Sequence, residues 1–139
     1  MITLRDLYES GIVATPMMQM LYTMLSERSP NENISHKVMP SMPEHMKFVN
    51  SRPYKEWWLI CVGEDAVGAI YLSKQNEIGV GILRRFRRLG YGQAAIREMM
   101  ERHPGERLAA NINPENHRSI HIFKKLGFKH VQATLEWVR

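Results

Sequence analysis

The period of the apolar positions divides the chain into a helical first third, a strand-rich middle and a final region where strands and helices alternate. Residues 1–7 alternate weakly through Ile2 and Leu4 to Leu7, as a first strand would. Thr15-Pro16 then offers a helix start, with Thr15 as N-cap and proline at the first helical position. Met17, Met20, Leu21, Met24 and Leu25 recur at helical spacing as far as Arg28. Residues 29–41 are polar and bounded by prolines, which predicts a loop. Ser41-Met42-Pro43-Glu44 opens a second, short helix whose apolar positions are Met46, Phe48 and Val49.

The middle of the chain reads as strands. Residues 57–62 are a continuous apolar run, long enough for a buried strand, and Gly63-Glu64-Asp65 is turn material. Val67, Ala69 and Tyr71 mark a second strand, and Lys74-Gln75-Asn76 turns the chain into a third over 77–83. Three consecutive strands with tight turns make an antiparallel meander. The period then lengthens: Ala95, Ile96, Met99 and Met100 share one face of a helix over 92–103, stopped by Pro104-Gly105. Leu108, Ala110 and Ile112 predict a strand. Asn113-Pro114 starts a helix over 114–126 that Gly127 closes, and Val131, Ala133, Leu135 and Trp137 alternate in a final strand. The passage from 77 to 112 requires a right-handed crossover and a parallel pair. The expected fold is α/β with a mixed sheet: antiparallel strands, a β-α-β crossover, a helix and a final strand, in one domain over 1–139.

Composition narrows the picture. A length of 139 residues with 44% hydrophobic and 24% charged positions suits one folded domain and excludes disorder as the main state. One cysteine excludes an intramolecular disulfide and a cysteine-rich zinc cluster. No apolar run approaches the roughly 18 residues of a membrane span, and the N-terminus lacks a signal-peptide pattern. The expectation is a soluble cytoplasmic domain with no membrane partner. Charge is divided unevenly: residues 1–83 carry 7 basic and 9 acidic side chains, residues 84–139 carry 12 and 5. A basic second half points to a polyanionic partner.

Chemistry concentrates in Leu83-Arg84-Arg85-Phe86-Arg87-Arg88-Leu89-Gly90-Tyr91-Gly92-Gln93-Ala94, where a strand ends and a helix begins. A helix N-terminus exposes unpaired N–H groups and favours an anion. Gly90 and Gly92 let the main chain turn sharply and an anion approach, and four arginines in five residues add charge-assisted donors. These features fit a diphosphate. The plainer alternative is a solvated basic loop whose glycines only make the turn. A Walker lysine and the third glycine of a dinucleotide fingerprint are both missing.

Arg87-x-x-Gly90-x-Gly92, after a strand and opening a helix, resembles the acyl-CoA pyrophosphate loop of the GNAT N-acetyltransferases. A second block, from Asn113-Pro114-Glu115-Asn116 through Ser119 to Phe123-Lys124-Lys125-Leu126-Gly127-Phe128, is similar to that family's N-x-x-S helix and its closing turn. The blocks are 21 residues apart, from Gly92 to Asn113, as an intervening helix and strand require. The resemblance covers residues 53–139, and 1–52 by element order. It implies a GNAT-like acyl-CoA N-acyltransferase fold with acetyl-CoA as cosubstrate and no metal. Backbone groups of Ile82 and Leu83 would then bond the pantetheine arm. Arg87, Arg88, Gly90, Tyr91, Gly92 and Gln93 would surround the pyrophosphate, and Asn113 and Asn116 would contact the arm. Ser119 and Phe123 share a helical face with Asn116 that would line the groove; plain core packing is the other reading of Phe123.

Acetyl transfer to an amine needs a base for the amine, a donor to the carbonyl oxygen and a proton for the leaving thiolate. Backbone N–H groups near Leu83 are the candidate donors. In much of the family a tyrosine supplies the proton; the corresponding residue here is Phe123, which has none. Candidate bases are Glu77, at the start of the strand leading to the loop, His45 on the second helix, and Tyr71 and Glu64. His117 and His121 are four apart, but no carboxylate completes a zinc motif.

The resemblance places the acceptor in the mildly acidic first half, which suits a cationic amine: an amino sugar, polyamine or amino acid. The segment HMKFVNSRPYKEWWLI also looks similar to members that acetylate nucleotide-linked amino sugars. Protein N-terminal or lysine acetylation, silent CoA binding and nucleic-acid binding through the arginines are the alternatives. No nucleic-acid motif accompanies those arginines, so a small-molecule amine is the expected partner. The final strand is also the expected edge for a homodimer.

Overall fold

A computed structural model of the chain describes residues 1–33 and 38–139. Its elements are β1 (Thr3–Asp6), α1 (Thr15–Ser26), α2 (Met42–Asn50), β2 (Glu56–Val62), β3 (Asp65–Leu72), β4 (Ile78–Ile82), α3 (Tyr91–Arg102) and α4 (His117–Lys125), with short 3-10 turns at Pro30–Glu32 and Arg84–Phe86. The four strands form one antiparallel sheet in the order β1-β2-β3-β4.

Strand alternation sends successive side chains to opposite faces, and each face has its own helices. Trp57, Leu59 and Ala69 are buried together with Leu21 of α1 and Val49 of α2. Ile60, Ile70, Leu72 and Ile78 are buried with Ile96 and Met99 of α3 and Phe123 of α4. Neighbouring Trp57 and Trp58 accordingly join different clusters. A register shift falls where Ile60 opposes Gly68 and Cys61 opposes Ala66, leaving Val67 as an extra residue on β3. Such a bulge bends and twists its strand, and here it lies against the end of β4: the Val67 carbonyl accepts the Leu83 N–H at 2.9 Å.

Several expected elements differ. The strand over 108–112 shrinks to a single parallel bridge between Glu77 and Ala109. Asn111 and Asn113 tie this segment down through their side chains, to the Glu77 carboxylate and the Asn33 carbonyl, in place of a backbone ladder. The helix expected from 114 starts at His117. Before it, the Asn113 carbonyl accepts the Asn116 N–H at 2.8 Å and the Asn113 side chain accepts the Glu115 N–H at 2.9 Å. Thr15 lies in the first turn of α1, and the N-cap is Ala14.

The final strand is not formed. Residues 129–139 have no regular secondary structure, and Val131, Leu135 and Trp137 are exposed. Alternation yields a strand only beside an edge that accepts it, and the 108–112 segment has no ladder to extend. The edge expected to pair across a homodimer is therefore absent. Of the loop expected over 29–41, residues 34–37 lie outside the described residues, and residues 30–32 make a 3-10 turn. Among the described residues, no helix is long and apolar enough to cross a membrane.

His103, at the C-terminal end of α3, is buried between two carboxylates: Nε2 lies 3.0 Å from Glu56 and Nδ1 2.6 Å from Glu106. Burial opposes its protonation, but the two glutamates outweigh burial and raise its pKa. A raised native pKa adds stability that is fully present below the ordinary histidine range and is lost as pH rises through the native value. His103→Gln is therefore expected to lower Tm most at mildly acidic pH, with the gap from the parent closing as pH rises. Melting curves from pH 5 to 9 check this, and a gap that widens with pH contradicts it.

Candidate functional site

The direction of backbone bonds along β4 locates an unfinished edge. Antiparallel pairing alternates which way successive N–H and C=O groups point. Ser73 N–H donates to the Glu77 carbonyl and Leu83 N–H to Val67, so Glu77, Gly79, Gly81 and Leu83 turn toward β3. Ile78, Val80 and Ile82 turn the other way, and Ile78 N–H donates to the Ala109 carbonyl at 2.7 Å. Beyond that single bridge the two segments carry no further pairing, and Val80 and Ile82 present their backbone groups to the gap. Of the two residues expected to offer backbone groups, Ile82 faces the gap. Leu83 is turned inward, and its carbonyl accepts the Phe86 N–H at 2.8 Å.

The loop after β4 ends in an open helix terminus. Gly90 is the N-cap of α3 with φ +83°, a left-handed conformation that glycine adopts without strain. No side chain caps α3, so the N–H groups of its first turn, at Tyr91, Gly92 and Gln93, project outward. A methyl group on Gly90 would meet no atom within 4 Å, and one on Gly92 would touch only Ile82 Cγ1 at 3.6 Å. The terminus and the free edge of β4 thus adjoin through Gly92 and Ile82.

The four arginines divide into two pairs. Arg84 is bound to Glu27, its N–H to the carboxylate at 2.9 Å and its guanidinium to the carbonyl at 2.8 Å. Arg87 donates from Nε to the Ile82 carbonyl at 3.1 Å and pairs with Glu32 at 3.5 Å. Arg85 lies over the Phe86 ring, and exposed Arg88, at φ 67°, has no polar partner among the described residues. Burial favours the protonated form of Glu32, but bonds from the Ser29 N–H and hydroxyl, with Arg87 and Arg28 nearby, hold its pKa below the ordinary value. It is an anion at neutral pH.

The second block lies across the gap. Asn113 donates from Nδ2 to the Asn33 carbonyl at 2.6 Å, and Asn116 caps α4 by accepting the Ser119 N–H at 3.2 Å. Phe123 is buried and meets Phe128 edge-on at 5.0 Å. Among the candidate bases, Glu77 is bound through Oε2 to Asn111 Nδ2 at 2.7 Å, on the same face as Gly79 and Gly81. Tyr71 lies against Gly79 and stacks on Tyr54 at 3.7 Å. Glu64 sits in the exposed β2–β3 turn. His45 is 3% exposed beside Tyr22, its Nε2 without a partner among the described residues, and burial pushes its pKa down.

A cavity of about 200 Å³ opens between α1 and the loop, with Met20, Thr23, Glu27, Leu83 and Arg85 in its walls. Another, of about 220 Å³, lies at the β1–β2 end beside Tyr8, Arg52 and Trp57 and shares no residue with the gap. Sequence reasoning passed over Glu27, Glu32 and Asn33. A signal was present, because Ser29-x-x-Glu32 is a capping-box pattern.

Comparison with known proteins bears on this geometry. A family model described as an acetyltransferase (GNAT) domain matches residues 4–129. The N-alpha-acetyltransferase of Sulfurisphaera tokodaii is 32% identical over 66 residues, covering 45% of this chain and 40% of that protein. The match thus spans less than half of the curated relative. A domain from Methanocaldococcus jannaschii superposes with a TM-score of 0.73 at 22% identity, covering 98% of this chain and 93% of its own. The N-acetyltransferase PseH of Campylobacter jejuni, solved in complex with acetyl coenzyme A, superposes with a TM-score of 0.69 at 14% identity, covering 96% and 92%. At these identities the two structures show a shared fold.

Proposed function

The chain belongs to the GNAT acetyltransferase family, and from that premise we propose that it transfers an acetyl group from acetyl-CoA to a primary amine. The observation that carries the reading is the meeting of two incomplete backbone surfaces, the free edge of β4 at Val80 and Ile82 and the uncapped N-terminus of α3. An extended arm with amide groups can add to such an edge as a strand does, and a diphosphate suits such a terminus. The clear space over Gly90 and Gly92 fits that use. Acetyl-CoA supplies the activated thioester carbonyl. Val80 and Ile82 bond the arm, Arg87, Arg88, Gly90, Tyr91, Gly92 and Gln93 surround the diphosphate, and Asn113, Asn116, Ser119 and Phe123 bound the far side.

The amine must be neutral to attack, and Glu77 is our assignment for the base. Asn111 fixes one of its oxygens, which leaves the other to accept a proton on the face of Gly79 and Gly81. His45 stays neutral but is sealed between α1 and α2, and we assign it to packing. Outward N–H groups at Val80 and Ile82 stabilise charge on the carbonyl oxygen. Phe123 has no proton to give, so the thiolate takes one from water. Glu77→Gln is expected to lower kcat by about 100-fold or more, the scale of general base catalysis, while acetyl-CoA affinity holds. Unchanged kcat removes Glu77 from the reaction.

For the acceptor we favour a small cationic amine, such as an amino sugar, polyamine or amino acid, on the net −2 charge of residues 1–83. The similarity to an N-alpha-acetyltransferase favours a second reading, a peptide α-amine. Against nucleic acid, no nucleic-acid-binding motif accompanies the arginines, and the Arg84 guanidinium is already engaged by the Glu27 carbonyl. Free-thiol release from acetyl-CoA, measured over amino sugars, polyamines, amino acids and short peptides, decides among the amines. Release with peptides alone selects the second reading.

A further inference from the structure

Arg87 belongs to the R-x-x-G-x-G run, yet its guanidinium is already engaged by the protein's own groups. Nε holds the Ile82 carbonyl at 3.1 Å, one of the outward groups on the free edge of β4. The terminal nitrogen pairs with Glu32, and both side chains are about three-quarters buried (26% and 24% exposed). Glu32 is itself fixed. Its carboxylate accepts the Ser29 N–H at 3.1 Å and the Ser29 hydroxyl at 2.8 Å, and its carbonyl accepts a bond from Arg28. The next carbonyl, of Asn33, takes the bond from Asn113. Residues 27–33 therefore reach both sides of the gap, through Arg84 and Arg87 on one side and Asn113 on the other.

Arg87 Nε and one terminal nitrogen are engaged, and a diphosphate drawn to the remaining N–H groups would stand beside the Glu32 carboxylate, anion against anion. We infer that the Glu32–Arg87 pair is a latch: the carboxylate competes with the diphosphate of acetyl-CoA for Arg87, and binding transfers Arg87 off Glu32 and uncovers the Ile82 carbonyl. This rests on the acetyl-CoA reading above. Glu32 is a positioning residue in this account, acting through Arg87. Its effect is to weaken cofactor affinity and to couple cofactor binding to release of the 27–33 segment.

Glu32→Gln isolates the charge, because glutamine also serves in a capping box and keeps the Ser29 bond. Calorimetric titration with acetyl-CoA is expected to give a Kd about two- to fivefold tighter for the variant, the scale of a single exposed or partly exposed ion pair. In an Arg87→Ala background the same change is expected to leave Kd unaltered, since the partner is gone. A Kd that is equal or weaker in Glu32→Gln overturns the latch but leaves the acetyl-CoA reading standing. Failure of parent and variant alike to bind overturns both. Hydrogen exchange on the parent gives a measurement free of any folding defect in the variant. Acetyl-CoA is expected to speed exchange at Glu32 and Asn33, and unchanged or slower exchange there contradicts the latch.

Discussion

Gly92→Val is expected to fold and melt like the parent and to bind acetyl-CoA about tenfold more weakly, or worse. The added Cβ meets only Ile82 Cγ1, at an ordinary contact distance of 3.6 Å. Valine is also no poorer a helix residue than glycine, so neither packing nor propensity costs the fold much. The proposed ligand does lose access. Gly92 is the second residue of α3, where an outward N–H and the absence of a side chain let an anion approach the main chain. Losing a hydrogen bond to a charged group costs about 1.5–3 kcal/mol, which is about ten- to a hundredfold in Kd. Titration with acetyl-CoA beside a melting curve separates the cases. Weak binding with an unchanged Tm supports the site, equal binding removes the anion from this terminus, and a fallen Tm makes Gly92 structural.

A change one strand away is expected to act oppositely, on stability first. A Cβ on Gly68 would stand 2.2 Å from the Gly81 carbonyl oxygen and 3.0 Å from Ile82 Cα. Both are backbone atoms of the neighbouring strand, so no flexible side chain can swing aside. Overpacking typically costs 1–3 kcal/mol and occasionally more; with two backbone atoms of β4 in the way, Gly68→Ala is expected at about 3 kcal/mol. That lowers Tm on the order of 10 °C in a domain of this size. Gly68 pairs with Ile82 next to the Val67 bulge, so the relief pushes the end of β4 and should weaken acetyl-CoA binding as well. Denaturant unfolding measures the first effect; a loss below about 0.5 kcal/mol, the usual range of surface changes, contradicts the tight β3–β4 approach.

What was legible in the sequence was local. The amphipathic runs of α1, α2 and α3 carry their own period, and the β2–β3–β4 meander is announced by its turns at Gly63 and Asn76. The loop over 84–92 was visible because glycine at a left-handed position and a helix start are both short-range events. Elements that depend on a distant partner were misread. Val131, Ala133, Leu135 and Trp137 alternate as strand residues do, yet nothing within the chain segment reveals that no edge receives them. The 108–112 segment looks like a strand for the same reason, while beyond its one backbone bridge it is held by Asn111 on the Glu77 carboxylate and by the following Asn113 on the Asn33 carbonyl, 34 and 80 residues away. Arg84 and Arg87 looked free in the sequence because Glu27 and Glu32 precede them by 57 and 55 residues. Charge runs show what a segment can bind, whereas pairing across the fold decides what remains available.

Residue-resolved hydrogen exchange with and without acetyl-CoA tests the central claim most directly. The expected result is protection of the Val80 and Ile82 amides and of residues 88–93, with the β1–β2 end around Tyr8 and Trp57 unchanged. Saturating acetyl-CoA that leaves those amides unprotected, or protects the β1–β2 end instead, would contradict a site built on the free edge of β4 and the open terminus of α3.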